Sequence, residues 1–87
     1  MIDQHWYAWY NSPMETMHYT VIFEHEEDGG YHAFVPVLPG CHTQGDTLDD
    51  ALENVREAIH AYLDSLKAEG ESAPVEDILI KPVEIAA

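Results

Sequence analysis

Cations are almost missing from this chain. Arg56, Lys67 and Lys81 stand alone against 17 Asp and Glu, a formal charge of −14 over 87 residues. Nucleic-acid affinity comes mainly from Lys and Arg at phosphates, so direct DNA or RNA binding is not expected of the isolated chain. An anionic membrane repels it for the same reason. The charge favours a basic protein partner, steered in by the long-range field. An acidic surface also serves solubility alone.

Cysteine is the second scarcity. Cys41 has no fellow, which excludes an internal disulfide and a two-cysteine structural zinc and fits a reducing cytoplasm. No apolar run reaches the length of about 18 residues that spans a membrane. The first residues lack the basic region and unbroken apolar core of a signal peptide. No repeat is visible. Gly29-Gly30, Gly40 and Gly45 lack the lysine and the strand-to-helix placement of a phosphate-binding loop. The length suffices for one small domain, whose core is thin enough that oligomerisation is expected.

Residues 1–18 hold both tryptophans and show no clean period of 2 or 3.6. Trp6, Tyr7, Trp9 and Tyr10 are costly to leave in water. The segment reads as an N-terminal aromatic arm, which docks a partner or covers the domain or a symmetry mate. Residues 19–87 read as the domain itself.

The domain opens with "YTVIFE", residues 19–24, alternating and β-branched, a strand pattern. A polar turn, Glu26-Glu27-Asp28-Gly29-Gly30, separates it from a second strand starting at Tyr31, so the two form a hairpin. Its register stays open. A two-residue Asp28-Gly29 turn sets His25 opposite His32, whereas a longer loop aligns Val21 and Phe23 with Ala33 and Val35. Pro36 and Pro39 weaken the end of the second strand. Pro39-Gly40 turns the chain into a short strand at 41–45. Thr47 is a good N-cap, with Asp50 three residues on, and Asp49 and Asp50 suit the positive end of the helix dipole. Leu48, Ala51, Leu52, Val55, Ala58, Ile59, Tyr62, Leu63 and Leu66 recur at helical spacing as one wide apolar stripe. Gly70 ends the helix. After a loop at 69–74, "DILIKPVEI" reads as a terminal strand that Pro82 confines to an edge. The expectation is an α+β, β-β-β-α-β two-layer domain, with strands near 19–26, 31–38, 41–45 and 77–84 and a helix near 47–69. The Leu48, Leu52, Val55, Ile59 and Leu63 side of the stripe is expected on the sheet.

Chemistry is sparse. None of the six histidines, at 5, 18, 25, 32, 42 and 60, sits in a His-x-x-x-His helix pair. On one hairpin register, His25 and His32 with Glu24 or Glu27 form a transition-metal site; otherwise they are scattered surface histidines. Cys41 beside His42 hints at a thiol nucleophile, but adjacent strand residues point to opposite faces. Glu24, Glu26, Glu27 and Asp28 have the composition of a metal-dependent nuclease cluster. With no basic residue nearby to hold a phosphodiester, they read better as an exposed acidic tip.

Three stretches in order, "YTVIFEHEEDGGY", "VPVLPGCHTQGDT" and "LDDALENVREAIHAYLDSL", carry a more specific pattern. It comprises an Asp-Gly hairpin with a following aromatic, a Pro-x-Leu-Pro-Gly-Cys corner, and a Gly-acid-Thr helix start in fixed register. Asp28, Gly29, Tyr31, Pro36, Leu38, Pro39, Gly40, Cys41, Gly45, Asp46, Thr47, Ala51, Asn54, Ala58 and Ile59 all fall on it. From Tyr19 to about Ser72 the chain resembles the HicB-like antitoxin family. The resemblance implies a partial RNase H-like fold without that fold's catalytic carboxylates. It implies a non-catalytic protein that binds and occludes a small basic mRNA-cleaving toxin of the HicA type. It also implies that the Pro39-Gly40-Cys41 corner is architectural. Many family members add a C-terminal DNA-binding domain; the sequence stops at Ala87, and operator binding is not expected of it.

Glu24, Glu26, Glu27, Asp28, Glu53 and Glu57 are therefore the expected contacts to a basic partner. Trp6, Trp9, Ile78, Ile80, Pro82 and Val83 are the expected contacts in a homodimer or homotetramer. No catalytic residue, metal or cofactor is expected, and the location is cytoplasmic. An orphan structural or regulatory oligomer with another protein partner, and a small metal-dependent hydrolase, are the competing readings.

Overall fold

The computed structural model describes residues 16–87. Three strands, β1 (Ile22–His25), β2 (Tyr31–Phe34) and β3 (His42–Gly45), are followed by one helix, α1 (Leu48–Ala68). The strands form an antiparallel sheet in the order β1-β2-β3. The expected α+β class holds, and each strand is shorter than its apolar pattern.

The longer hairpin loop is the one formed. Phe23 pairs with Ala33 and His25 with Tyr31. The Glu26 N–H donates to the Gly30 carbonyl at 2.7 Å, and Gly29 takes a φ of 98° that only glycine adopts freely. Ala33, Val35, Leu38, Cys41, Ala51 and Val55 form the buried core. Leu38 reaches it through the corner after β2. There the Leu38 N–H donates to the Val35 carbonyl, and the Cys41 N–H donates back to the Leu38 carbonyl at 2.9 Å. Gly40, at a φ of 82°, closes that turn.

The helix starts and stops as the sequence directs. Thr47 Oγ1 accepts the Asp50 N–H at 3.0 Å. At the far end Gly70, with φ 74°, donates to the Lys67 carbonyl and Glu71 donates to that of Leu66. This is the Schellman arrangement, which satisfies carbonyls that the helix itself leaves open.

Two expectations need correction. Leu48 and Leu52 do not pack on the sheet; they remain 48% and 40% exposed. The helix lies mainly over β3 and β2, so Ala51, Val55 and Leu63 are its buried residues, while Leu52 borders a groove with the segment leading into β1. The second correction is the terminal strand at 77–84, which does not form. A strand exists only with a partner for its N–H and C=O groups, and residues 71–87 carry no ladder in the chain. The segment is instead pinned at its root. Tyr19 Oη donates to the Pro74 carbonyl at 2.6 Å, and the Glu76 carboxylate accepts from both the Thr20 N–H and, at 2.6 Å, Thr20 Oγ1. Those two bonds hold the Glu76 carboxyl below the usual glutamate range.

Candidate partner-binding surfaces

The approach of β3 to α1 positions the first surface. A Cβ at Gly45 would lie 2.4 Å from the Ala51 nitrogen and 2.8 Å from its Cα. Only a residue without a side chain lets the helix start this close to the strand end. Asn54, one turn further, donates from Nδ2 to the Gln44 carbonyl at 2.8 Å and fixes the spacing. The hairpin loop lies beside this junction. Together they line an acidic cleft of about 590 Å³, bounded by Glu26, Asp28, Asp46, Asp50 and Glu53.

Of the six expected partner contacts, the fold brings Glu26, Asp28 and Glu53 to that cleft. Glu57 is exposed one helical turn beyond Glu53. Glu24 and Glu27 border an adjoining recess with His25, His32 and His42, and Glu26 and Gln44 line both it and the cleft. Asp46 and Asp50 join the cleft without having been singled out as partner contacts. Their sequence signal was the helix start, where acids suit the dipole whether or not anything binds.

The second surface is apolar. Met17, Tyr19, Val21, Leu52, Ile59 and Leu63 line a groove between the segment leading into β1 and the helix, with His18, Arg56, His60 and Asp64 along it. Past the Glu76 anchor the chain exposes more apolar surface, with Leu79 at 84%, Ile80 at 61% and Val83 at 76%. Ile78 and Pro82 are exposed as well. Trp6 and Trp9, the other expected self-contacts, lie outside the described residues.

The reactive possibilities resolve as follows. His25 does not face His32; it packs against Tyr31, ring centroids 4.5 Å apart. Cys41 is 5% exposed, and burial pushes its thiol up from the ordinary range. His42, exposed on the opposite side of the strand, is directed toward His32 instead. Among the described residues, no group of three or more His, Cys, Asp or Glu side chains converges as a metal cage. No helix among them is long and apolar enough to cross a membrane.

Among the described residues, a three-stranded antiparallel sheet with a single helix, a proline-glycine corner and an acidic junction defines the class: a small acidic α+β domain. The family model for the HicB-like antitoxin of bacterial toxin-antitoxin systems matches residues 19–84. The chain belongs to that family. It is 51% identical over 74 residues to a UPF0150 protein of Synechocystis, covering 85% of this chain and 94% of that one. Antitoxin HicB 1 of Photorhabdus laumondii is 30% identical over 79 residues, 85% of this chain and 51% of the antitoxin. Among solved structures, the N-terminal domain of the Burkholderia pseudomallei antitoxin HicB superposes with a TM-score of 0.62 at 32% identity, covering 68% of this chain and 69% of that one. Family membership supports an antitoxin role, implies a toxin partner in general, and points away from an enzyme.

The family residues acquire physical reasons. Gly29 and Gly40 hold positive φ, Gly45 admits the helix, Thr47 caps it, and Asn54 ties it to β3. Leu38, Cys41 and Ala51 fill the core.

Proposed function

We propose that this protein is a non-catalytic antitoxin that binds a small basic mRNA-cleaving toxin of the HicA type and blocks its RNA site. The acidic cleft between hairpin and helix start carries this reading. Five carboxylates from three separate stretches, Glu26 and Asp28, Asp46, then Asp50 and Glu53, line one concave surface. Lys and Arg that evolved to meet RNA phosphates find there a comparable density of negative charge. The toxin's cleavage then fails because its substrate surface is covered. The protein works in the cytoplasm, where its single thiol stays reduced, and binds no DNA unaided.

The test is co-expression with a basic chain encoded next to it, followed by pull-down and stopped-flow association. Capture of that chain is expected, with an on-rate that falls as salt rises. Replacing Glu26, Asp28 and Glu53 together by Gln should slow association while the fold persists. A salt-independent on-rate, or unchanged association after triple neutralisation, refutes the cleft as the docking surface.

The exposed apolar tail favours one addition, self-association. Ile78, Ile80, Pro82 and Val83 contact a second copy of the chain, whose β1 flank offers the matching apolar groove. Both halves of such a contact are present on every copy, as a two-fold interface requires. Light scattering on the full chain and on one ending at Asp77 decides it: a monomer for both, or an unchanged oligomer for the shorter, refutes the tail's part.

A further inference from the structure

Among the described residues the sheet has helix on one face only, and the other face carries Ile22 and Glu24 from β1, His32 and Phe34 from β2, and His42 and Gln44 from β3, as the register dictates. His32 and His42 are diagonal neighbours there, since Phe34 pairs with His42 and His32 with Gln44. Diagonal pairs are within reach of long side chains. Their ring nitrogens, His32 Nε2 and His42 Nδ1, stand 3.4 Å apart.

That separation exceeds the 2.7–3.2 Å of a good hydrogen bond from nitrogen. It matches another geometry. Two imidazole nitrogens each about 2.0–2.1 Å from one tetrahedral ion lie roughly 3.3–3.4 Å apart. The remaining nitrogen of His32 points elsewhere: Nδ1 is 3.6 Å from Glu24 Oε1. A carboxylate beside the non-ligating nitrogen is the arrangement that fixes the tautomer and raises the basicity of a metal-bound imidazole. Phe34 stacks against the His32 ring, centroids 5.9 Å apart, and limits its rotation. The pair opens to solvent on one side, in the recess shared with Gln44 and Glu27.

We infer that His32 Nε2 and His42 Nδ1 jointly bind one divalent transition-metal ion on the open face of the sheet, with Glu24 orienting His32. Imidazole donors select Zn, Ni or Cu over Mg or Ca. The protein supplies two ligands, and water or the Gln44 amide completes the shell. Glu26, Glu27 and Asp28 in the nearby hairpin loop and the strongly negative chain attract a dication to the recess. The recess shares Glu26 and Gln44 with the acidic cleft, but His32 and His42 lie outside that cleft; the site is a second binding function that does not rest on the antitoxin reading.

The experiment is a titration of the full chain with zinc chloride and, separately, nickel chloride at neutral pH, followed by calorimetry and by histidine-ring proton–nitrogen correlation spectra. One ion per chain is expected, with metal-induced shifts at His32 Nε2 and His42 Nδ1. His32→Ala and His42→Ala should each abolish saturable binding, and His18→Ala and His60→Ala should leave it intact. Glu24→Ala should weaken binding about tenfold, and Glu24→Gln, which keeps an acceptor, should recover part of it. The wild-type spectra decide the matter even if a variant folds poorly. Shifts at His32 Nδ1, shifts spread evenly over all histidines, or no saturable binding below millimolar metal would overturn the site.

Discussion

Gly45→Ala is the sharpest perturbation the fold offers. The added methyl would sit 2.4 Å from the Ala51 nitrogen and 2.8 Å from its Cα, both backbone atoms at the start of the helix. Ordinary carbon contacts need about 3.5 Å, so the helix start must retreat by about 1 Å. Gly45 is not among the glycines with positive φ, which makes the cost purely steric. Overpacking of this kind costs about 1–3 kcal/mol. The retreat also stretches the Asn54 bond to the Gln44 carbonyl, adding about 0.5–1.5 kcal/mol. A chain of this length has roughly 4–13 kcal/mol to lose, at about 0.05–0.15 kcal/mol per residue. The melting temperature should therefore fall by at least about 5 °C. Gly30→Ala is the graded control, since its methyl meets a single carbonyl oxygen at 3.0 Å. Thermal unfolding followed by circular dichroism is the assay. A Gly45→Ala protein melting within about 2 °C of the parent, or a Gly30→Ala protein hit harder than it, would refute the claim that this contact sets the helix position.

Cys41 should resist thiol reagents in the native protein and react only as the chain unfolds, because burial raises its thiol. Fast native labelling, or a rate that drops in His42→Ala, would contradict its architectural role. The Glu76 anchor gives a pH dependence of definite sign. Its folded-state value is depressed, so its contribution is complete above the usual glutamate range and is lost as pH falls through the lowered value. Hydrogen exchange at the Thr20 amide should be steady from about pH 8 to 5 once corrected for intrinsic rates, and should accelerate below about pH 4. Glu76→Gln should show the acid behaviour at every pH, and equal protection in Glu76→Gln and the parent at neutral pH would remove the carboxylate from the anchor.

Much of the fold was legible because its signals are local. Thr47 caps, Gly70 terminates and Asp28-Gly29 turns through chemistry confined to a few neighbouring residues. What was not legible depends on partners distant in sequence. The hairpin register turned on whether Glu26 would bond to Gly30 across a longer loop, which composition does not decide. The buried side of the helix is narrower than its apolar stripe, because the position of α1 over β2 and β3 determines which side of it is covered. The terminal apolar run has strand chemistry without a strand to pair with. The candidate surfaces followed the same rule. The acids of the hairpin were visible, but Asp46 and Asp50 join them only through the close approach at Gly45. His32 and His42 meet only once two registers are known.

That close approach has an electrical side. With no clearance between β3 and the helix start, the backbone stretches that carry Asp46, Asp50 and Glu53 stay together. The native state thus holds part of its own charge under compression, in a molecule already at −14. Unfolding releases that repulsion, so the fold is weaker than its packing alone would make it. Whatever brings positive charge to the cleft, simple salt at high concentration or a basic protein at low concentration, removes the same load and tightens the whole domain. A surface that costs the free protein stability is one whose bound form is the more durable.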